Sequence, residues 1–193
     1  MKERVRSRID ALRPLLKDLV PGVRIAAAEA IEKLEAVTAV DEILATLKTG
    51  AMGARIGAIY ALGEIGGEKV LPPLVYCARR QEVDIRSAAA AVLGKLALPA
   101  ALPVLVELLD DDNATVQGRA IEALSHFPAT PAILEKLRTF LNANDGILEA
   151  EAALTLAGLQ DPCSLSQIQT LLASSHASTR QAAATALSLL PLQ

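Results

Sequence analysis

Tryptophan is absent from this 193-residue chain, and it has only two Phe, two Tyr, two Cys and two His. A core with so few aromatics is built from Leu, Ile, Val and Ala, which suits close helix packing better than a sheet, and no strand-like alternation lasts more than a few residues. Two cysteines exclude a disulfide framework. Cys77 occupies an apolar repeat position and reads as a small core residue; Cys163 falls in a loop with no identifiable base beside it, so neither is a candidate nucleophile. His126 and His176 lack a second His or Cys three or four residues away, the spacing a metal site needs. Neither a metal nor any other cofactor is expected, and no catalytic residue is assigned. There is no excess of positive charge: the formal charge is −3, with 15 Lys/Arg against 12 Asp/Glu in residues 1–97 and 4 against 10 in residues 98–193. That gradient can orient a partner but is not the footprint of a nucleic-acid binder. The longest charge-free apolar run, Leu96 to Val106, is too short to span a bilayer and holds two prolines, and the start, MKERVRSRID, has no signal-peptide core. A cytoplasmic protein without a membrane partner is the expectation.

What the chain has in abundance is a repeat. Ile31, Leu62, Leu93, Leu124, Leu156 and Leu187 mark six copies of one helical pattern, spaced 31, 31, 31, 32 and 31 residues apart. Each copy carries an alanine at the same place: Ala27, Ala58, Ala89, Ala120, Ala152 and Ala183. A second apolar pattern precedes each copy, anchored at Leu12, Ile43, Leu74, Leu105, Leu137 and Ile168, with further apolar positions three and four residues on. The unit is thus helix A, a short turn and helix B. A fixed period of this length with two helices per unit is the signature of an α-solenoid. The expected fold is all-α, a right-handed α-α superhelix of six helix pairs of about 31 residues, forming a single domain over 1–193. Its repeats run approximately over 5–36, 37–67, 68–98, 99–129, 130–161 and 162–193.

The connections carry matching punctuation. Thr130-Pro131 and Asp161-Pro162 place an N-cap residue before a proline suited to the first helical turn, and Asp84 and Ser178 stand where B helices should begin. Thr38 with Asp41 predicts a cap for the second A helix. Pro21-Gly22 and Gly66-Gly67 supply turns, and the one extra residue lies in SHFPATPA, between Leu124 and Leu137.

The segments VRIAAAEAIEKL (23–34), ARIGAIYALGEIGG (54–67), IRSAAAAVLGKLA (85–97) and LPVLVELLDDDNATVQGRAIEALSHF (102–127) resemble the HEAT repeat, most closely the short bacterial variety of phycobilisome lyases. In that family an Asp at the AB turn and an Arg early in helix B commonly form a ladder through the stack. The resemblance implies such a structural ladder of Asp18, Arg24, Arg55, Arg86, Asp111 and Arg180. Gln117 and Glu149 fill the Arg slot of the fourth and fifth repeats, and Thr49, Arg80, Ala143 and Ser174 interrupt the Asp slot. The His-Glu pairs through which some HEAT-like enzymes bind iron are missing, as are the aromatic and basic residues that HEAT-like DNA-repair enzymes use. Asp110 to Asp112 are consecutive rather than alternating, so they read as a solvated turn and not as a calcium loop.

No G-x-S-x-G, P-loop or G-x-G-x-x-G pattern occurs; Gly63, Gly66 and Gly67 belong to a helix end. Function is therefore sought on the surface. The B-helix positions five and nine residues past the Arg slot point away from the A helices and, as the family implies, line the concave side. They offer Tyr60, Glu64, Lys95, Glu122 and His126 as a partner-binding strip, which turns apolar at Leu154 and Leu189. At the ends, helix 1A with its many charges reads as a solubilising cap, whereas the last helix finishes on Leu189, Leu190 and Leu192 and is weakly capped, which predicts association there. The expected function is a non-enzymatic interaction module or scaffold that binds a protein or peptide on the concave B-helix face. The alternative, on family resemblance alone, is a subunit of a bilin lyase or related phycobilisome machinery.

Overall fold

The computed structural model describes residues 2–191, with the backbone alone at Lys2, Ala36, Val37 and Thr38. The fold is all-α, and no strand occurs among the described residues. Its helices are α1 (Lys2–Leu12), α2 (Pro21–Thr49), α3 (Met52–Ile65), α4 (Leu71–Ala78), α5 (Val83–Leu96), α6 (Leu102–Leu108), α7 (Ala114–Leu124), α8 (Pro131–Thr139), α9 (Leu148–Gly158), α10 (Leu165–Leu171) and α11 (Ala177–Leu189). Short 3-10 turns lie at Arg13–Lys17, Glu68–Val70, Pro99–Ala101, Phe140–Asn142 and Pro162–Ser164. Two compact units divide the chain, residues 1–58 and 59–193, with α3 running across the division.

In the first unit α1 packs on α2, and α2 departs from the expected register. It runs unbroken through Thr38 and Asp41, where the end of one repeat and the cap of the next were expected, so the boundary between residues 36 and 37 falls inside a helix. The cause is local. From Val23 to Thr49 the chain holds no Gly and no Pro, so nothing stops a helix that has started. The Thr38 side chain itself lies outside the described residues. Pro21 opens α2, where its missing N–H is no loss.

The second unit keeps the register. Four pairs follow one another, α4 with α5, α6 with α7, α8 with α9 and α10 with α11, and the B helices pack in sequence, α5 on α7, α7 on α9, α9 on α11. Their core is aliphatic: Leu62, Leu74, Leu93, Leu105, Leu137, Leu156 and Ile168 have no exposed surface, and Cys77 is buried among them. The six repeat alanines are all buried, at 6% exposure or less. The reason is close approach. At Gly94 of α5 a Cβ would stand 2.5 Å from the Ala123 Cβ and 2.7 Å from its Cα, and at Gly63 it would stand 2.8 Å from Val92 Cγ1.

Turns differ from expectation in detail. Thr130 does cap α8, its Oγ1 accepting the Ile133 N–H at 3.3 Å. At α5 and α11, however, Glu82 and His176 hold the N-cap positions without a side-chain bond, and Ser178 Oγ instead donates to the Gly146 carbonyl at 2.6 Å. Asn113 caps α7 through the Thr115 N–H. Asp161 stands at the N-cap position of the turn Pro162–Ser164, and its carboxylate is gripped by Arg138.

Candidate partner-binding face

The second unit exposes one side of a row of B helices, and that side carries most of the strip the sequence singles out. Tyr60, near the middle of α3, is 51% exposed. Glu64, one turn later, receives Lys95 Nζ of α5 at 2.6 Å, so residues 31 apart form a rung between neighbouring B helices. That hydrogen bond, followed by the cation's charge, lowers the Glu64 pKa. Both side chains are well exposed, so the rung is worth little as stability.

On α7, Arg119 Nη1 meets Glu122 Oε2 at 2.6 Å, three residues apart on one face. The hydrogen bond to Glu122 raises the arginine's pKa, with Glu151 of α9 and Tyr60 of α3 adding to it. Between α3 and α7, α5 presents only Ala91 at the corresponding position. Glu151 is half-buried; burial first, then the Glu122 charge, pushes its pKa up against the opposing pull of Arg119. Thr115, Gly118, Arg119, Glu122, Ile147 and Glu151 enclose a notch of about 190 Å³, with Ile147 53% exposed. The buried Gly118 keeps the notch open without being forced to, since a Cβ there would meet only ordinary contacts at 3.8 Å or more.

His126 does not join the strip on a helix. It lies past Leu124, where α7 ends, and is exposed in the turn that follows. Leu154 and Leu189 continue the face at 36% and 49% exposure. At the far end Leu190 is buried at 7%, and Leu189 keeps its carbonyl bonded to Gln160 Nε2 at 2.8 Å. Leu192 lies outside the described residues.

The ladder residues do related work in pieces. Arg24, Arg86 and Arg180 each send Nη1 back to two carbonyls five and six residues earlier, at the end of the preceding A segment: Asp18 and Leu19, Arg80 and Gln81, Ser174 and Ser175. These carbonyls lie in the AB turns just past the A helices, so each arginine ties its turn to the start of helix B. Arg86 also joins repeats, its Nε and Nη2 gripping both oxygens of Asp111 at 2.7 and 2.8 Å. Burial pushes the Asp111 carboxyl up, but Arg86 and the Asn113 N–H outweigh it and leave its pKa lowered. Asp18 plays a local part, accepting the Val20 N–H at 2.8 Å. Arg55 stands at the same register position in α3, half-buried.

Where the slot is not arginine, the chemistry changes. Gln117 Nε2 donates to the Leu109 carbonyl. Glu149, 2% exposed, inverts the sign of the slot and accepts the N–H groups of Asp145 and Gly146. A second buried pair lies off the register: Arg138 of α8 grips Asp161, 2% exposed, with contacts of 2.8 and 2.6 Å. Arg138 holds the Asp161 pKa well below its ordinary value despite burial. Sequence periodicity gives no signal for this pair. Among the described residues no His, Cys, Asp and Glu side chains gather as a metal site, and no helix is long and apolar enough to cross a membrane.

A family model described as HEAT repeats matches the chain three times in overlapping stretches, residues 9–90, 40–125 and 71–157. No curated protein matches it. Among solved structures, it is similar to the complex of CpcE and CpcF of phycocyanin lyase from Nostoc sp. PCC7120, with a TM-score of 0.64 and 21% identity over 78% of this chain and 98% of that one. It is also similar to an engineered protein (TM-score 0.56, 22% identity, 94% and 96% covered) and to a designed armadillo repeat protein (TM-score 0.55, 18% identity, 95% and 100% covered). At these identities the likeness is one of fold, that of helical-repeat solenoids. With its 31-residue register and buried alanines matched over most of its length by that family model, the chain belongs to the HEAT-repeat family.

Proposed function

We propose that this chain is a non-enzymatic, cytoplasmic scaffold that binds a protein or peptide segment on its B-helix face, as a single HEAT-repeat domain. The observation that supports this reading is the exposed strip running over successive B helices, with Tyr60 and the Glu64–Lys95 rung on α3 and α5, and the Arg119–Glu122 pair and the half-buried Glu151 around one notch on α7 and α9. An exposed aromatic among paired charges has the composition of a binding hot spot with a polar rim. Glu64, Lys95, Glu122 and His126 then serve as rim contacts and Tyr60 as the anchor. Arg24, Arg55, Arg86, Arg180, Asp18 and Asp111 are assigned to holding the repeats, not the partner.

Affinity capture with tagged protein, wild type and Tyr60→Ala/Glu122→Arg, tests the reading. A protein captured by the wild type and lost from the variant supports it; a partner retained by the variant overturns the assignment of this face and points to the Leu172 and Leu189 end, where both leucines are half exposed. The alternative, a subunit of a bilin lyase, draws on the fold shared with the CpcE–CpcF complex. Bilin absorbance transferred to a pigment protein when the captured partner is added would favour it; a colourless mixture would discard it.

A further inference from the structure

In the first unit, exposed apolar side chains gather at one place. Leu15, Leu16, Leu19, Val20 and Ile25 are 39%, 41%, 95%, 57% and 59% exposed, all in the turn between α1 and α2 or at its edges. A single exposed leucine needs no explanation, but a run of them in one short stretch is the mark of a contact surface. The end that composition marks as weakly capped is the C-terminal one, but exposed apolar side chains gather here as well.

The backbone that displays these side chains is held. Pro14 and Pro21 fix their own φ angles. Asp18 Oδ1 accepts the Val20 N–H at 2.8 Å, and Arg24 Nη1 donates to the carbonyls of Asp18 and Leu19 at 2.8 and 3.2 Å. Leu19 is thus presented in a fixed position and loses little freedom on binding. Around the patch the charge is mainly positive. Arg4, Arg6 and Arg8 are exposed on α1, and Arg13 and Lys17 are exposed in or beside the stretch itself. The carboxylates among them are Asp10, 3.5 Å from Arg13, the half-buried Asp18, Glu3 beside Arg4 and Arg8, and Glu35 and Glu42 of α2 beside Arg6 and Arg13, so the positive excess is greatest at Arg13 and Lys17.

We propose that this patch docks an acidic amphipathic helix of a partner protein, a surface separate from the B-helix face. The helix lays its apolar side on Leu15, Leu16, Leu19, Val20 and Ile25, and its carboxylates meet Arg13, Lys17 and the arginines of α1. Charge argues against a second copy seated patch to patch, since both would carry the same sign. It also argues against an anionic bilayer, whose phosphates would meet Asp10 and Asp18 along with the cations, whereas a helix can place its carboxylates clear of both. The patch is moreover a braced turn, not a helix lying flat in an interface.

The test uses the full chain and two fluorescent 18-residue helical peptides with the same leucine face, one with a glutamate polar face and one with lysine. Anisotropy should show the glutamate peptide binding with a Kd of roughly 10 μM, weakened about tenfold between 50 and 300 mM NaCl. Leu19→Ser and Lys17→Glu should each weaken it about tenfold or more. Leu19 is nearly free of the rest of the chain, so its variant should melt as wild type does and the loss cannot be blamed on unfolding. Tyr60→Ala should leave this binding unchanged, so that failure here and failure of the B-helix reading are seen separately. Equal binding of the lysine peptide, no binding of either peptide, binding only to phosphatidylserine vesicles, or self-association that Leu19→Ser abolishes would each overturn the proposal.

Discussion

Two glycines on neighbouring B helices should respond in opposite directions to the same substitution. Gly94 lies in α5 against α7, and its missing Cβ would fall 2.5 Å from the Ala123 Cβ and 2.7 Å from its Cα. Ordinary contacts begin near 3.4 Å, so Gly94→Ala requires α5 and α7 to separate by several tenths of an ångström or more. The atoms in the way are backbone and Cβ, which have no rotamer to escape into. Overpacking of this kind costs about 1–3 kcal/mol, against a helix-propensity gain of about 1 kcal/mol, for a net loss of about 1 kcal/mol. Gly118 lies in α7, and its Cβ would meet Glu151 Cγ, Ile147 Cγ2 and Leu148 Cδ2 at 3.8–3.9 Å. Gly118→Ala should therefore keep most of the propensity gain of about 1 kcal/mol. In a domain of this size each kcal/mol moves Tm by about 2–4 °C, so thermal melts by circular dichroism should separate the two variants by about 4–8 °C with wild type between them. Shifts of the same sign, or a Gly94→Ala variant that melts above wild type, would refute the close packing of α5 on α7.

Ala97 ends α5 with φ 48°, a left-handed conformation that disfavours a Cβ, so Ala97→Gly should raise stability by about 1 kcal/mol in the same melts. Ala89, with no exposed surface, should not accept a larger side chain, and Ala89→Leu should lose about 1–3 kcal/mol; an unchanged melt would contradict the repeat alignment. Asp161→Asn should cost about 3 kcal/mol at neutral pH by leaving the Arg138 guanidinium short of its counter-charge. The Asp161 pKa is lowered in the fold, so the stability it contributes is complete above its unfolded value of about 4 and is lost as pH falls through the folded one. The gap between wild type and Asp161→Asn should therefore hold from pH 7 to about 4 and narrow below that. Glu151 runs the other way: burial and Glu122 raise its folded pKa, so folding favours its protonated form and wild-type stability rises as pH falls through the window between its unfolded and folded values. Glu151→Gln should melt above wild type at pH 7, with the difference shrinking toward pH 4; a variant that melts lower at pH 7 would refute the arrangement of the notch.

The repeat was legible because its signal is redundant. Six alanines at one register position all prove buried, and in the second unit the A and B anchors are buried where the spacing puts them, except Leu187 of the last helix, which is half-buried. The fused helix α2 was legible too, in a different signal: the stretch from Val23 to Thr49 has no helix breaker, and the period predicted a turn where local chemistry supplies none. The inverted slot at Glu149 was legible from the period, though its local bonds to the Asp145 and Gly146 N–H groups were not; the Arg138–Asp161 pair was not legible, because it depends on which segments meet across repeats and not on the position of any one residue in the period. The face itself was read from offsets within helix B, and those offsets leave Tyr60, Glu64, Lys95 and Glu122 in solvent.

His126 shows where such offsets fail, and why. In three repeats the residue four past the B-helix anchor turns the chain out of the helix. Gly66 does so with φ 68°, Ala97 with φ 48° and Gln160 with φ 58°, all left-handed. The corresponding residue of the fourth repeat is Pro128, whose ring fixes φ near −65° and cannot adopt that conformation. The turn must then be made by other residues. In the fourth repeat α7 stops at Leu124, its end closed by the Ser125 N–H and Oγ on the Glu122 carbonyl at 3.1 and 2.7 Å, and SHFPATPA carries one residue more than its counterparts. Proline at this position does not by itself shorten the helix, since Pro191 holds it in the sixth repeat and α11 still runs to Leu189; it is the early stop of α7 that leaves His126 in the turn, where offsets within a helix no longer apply.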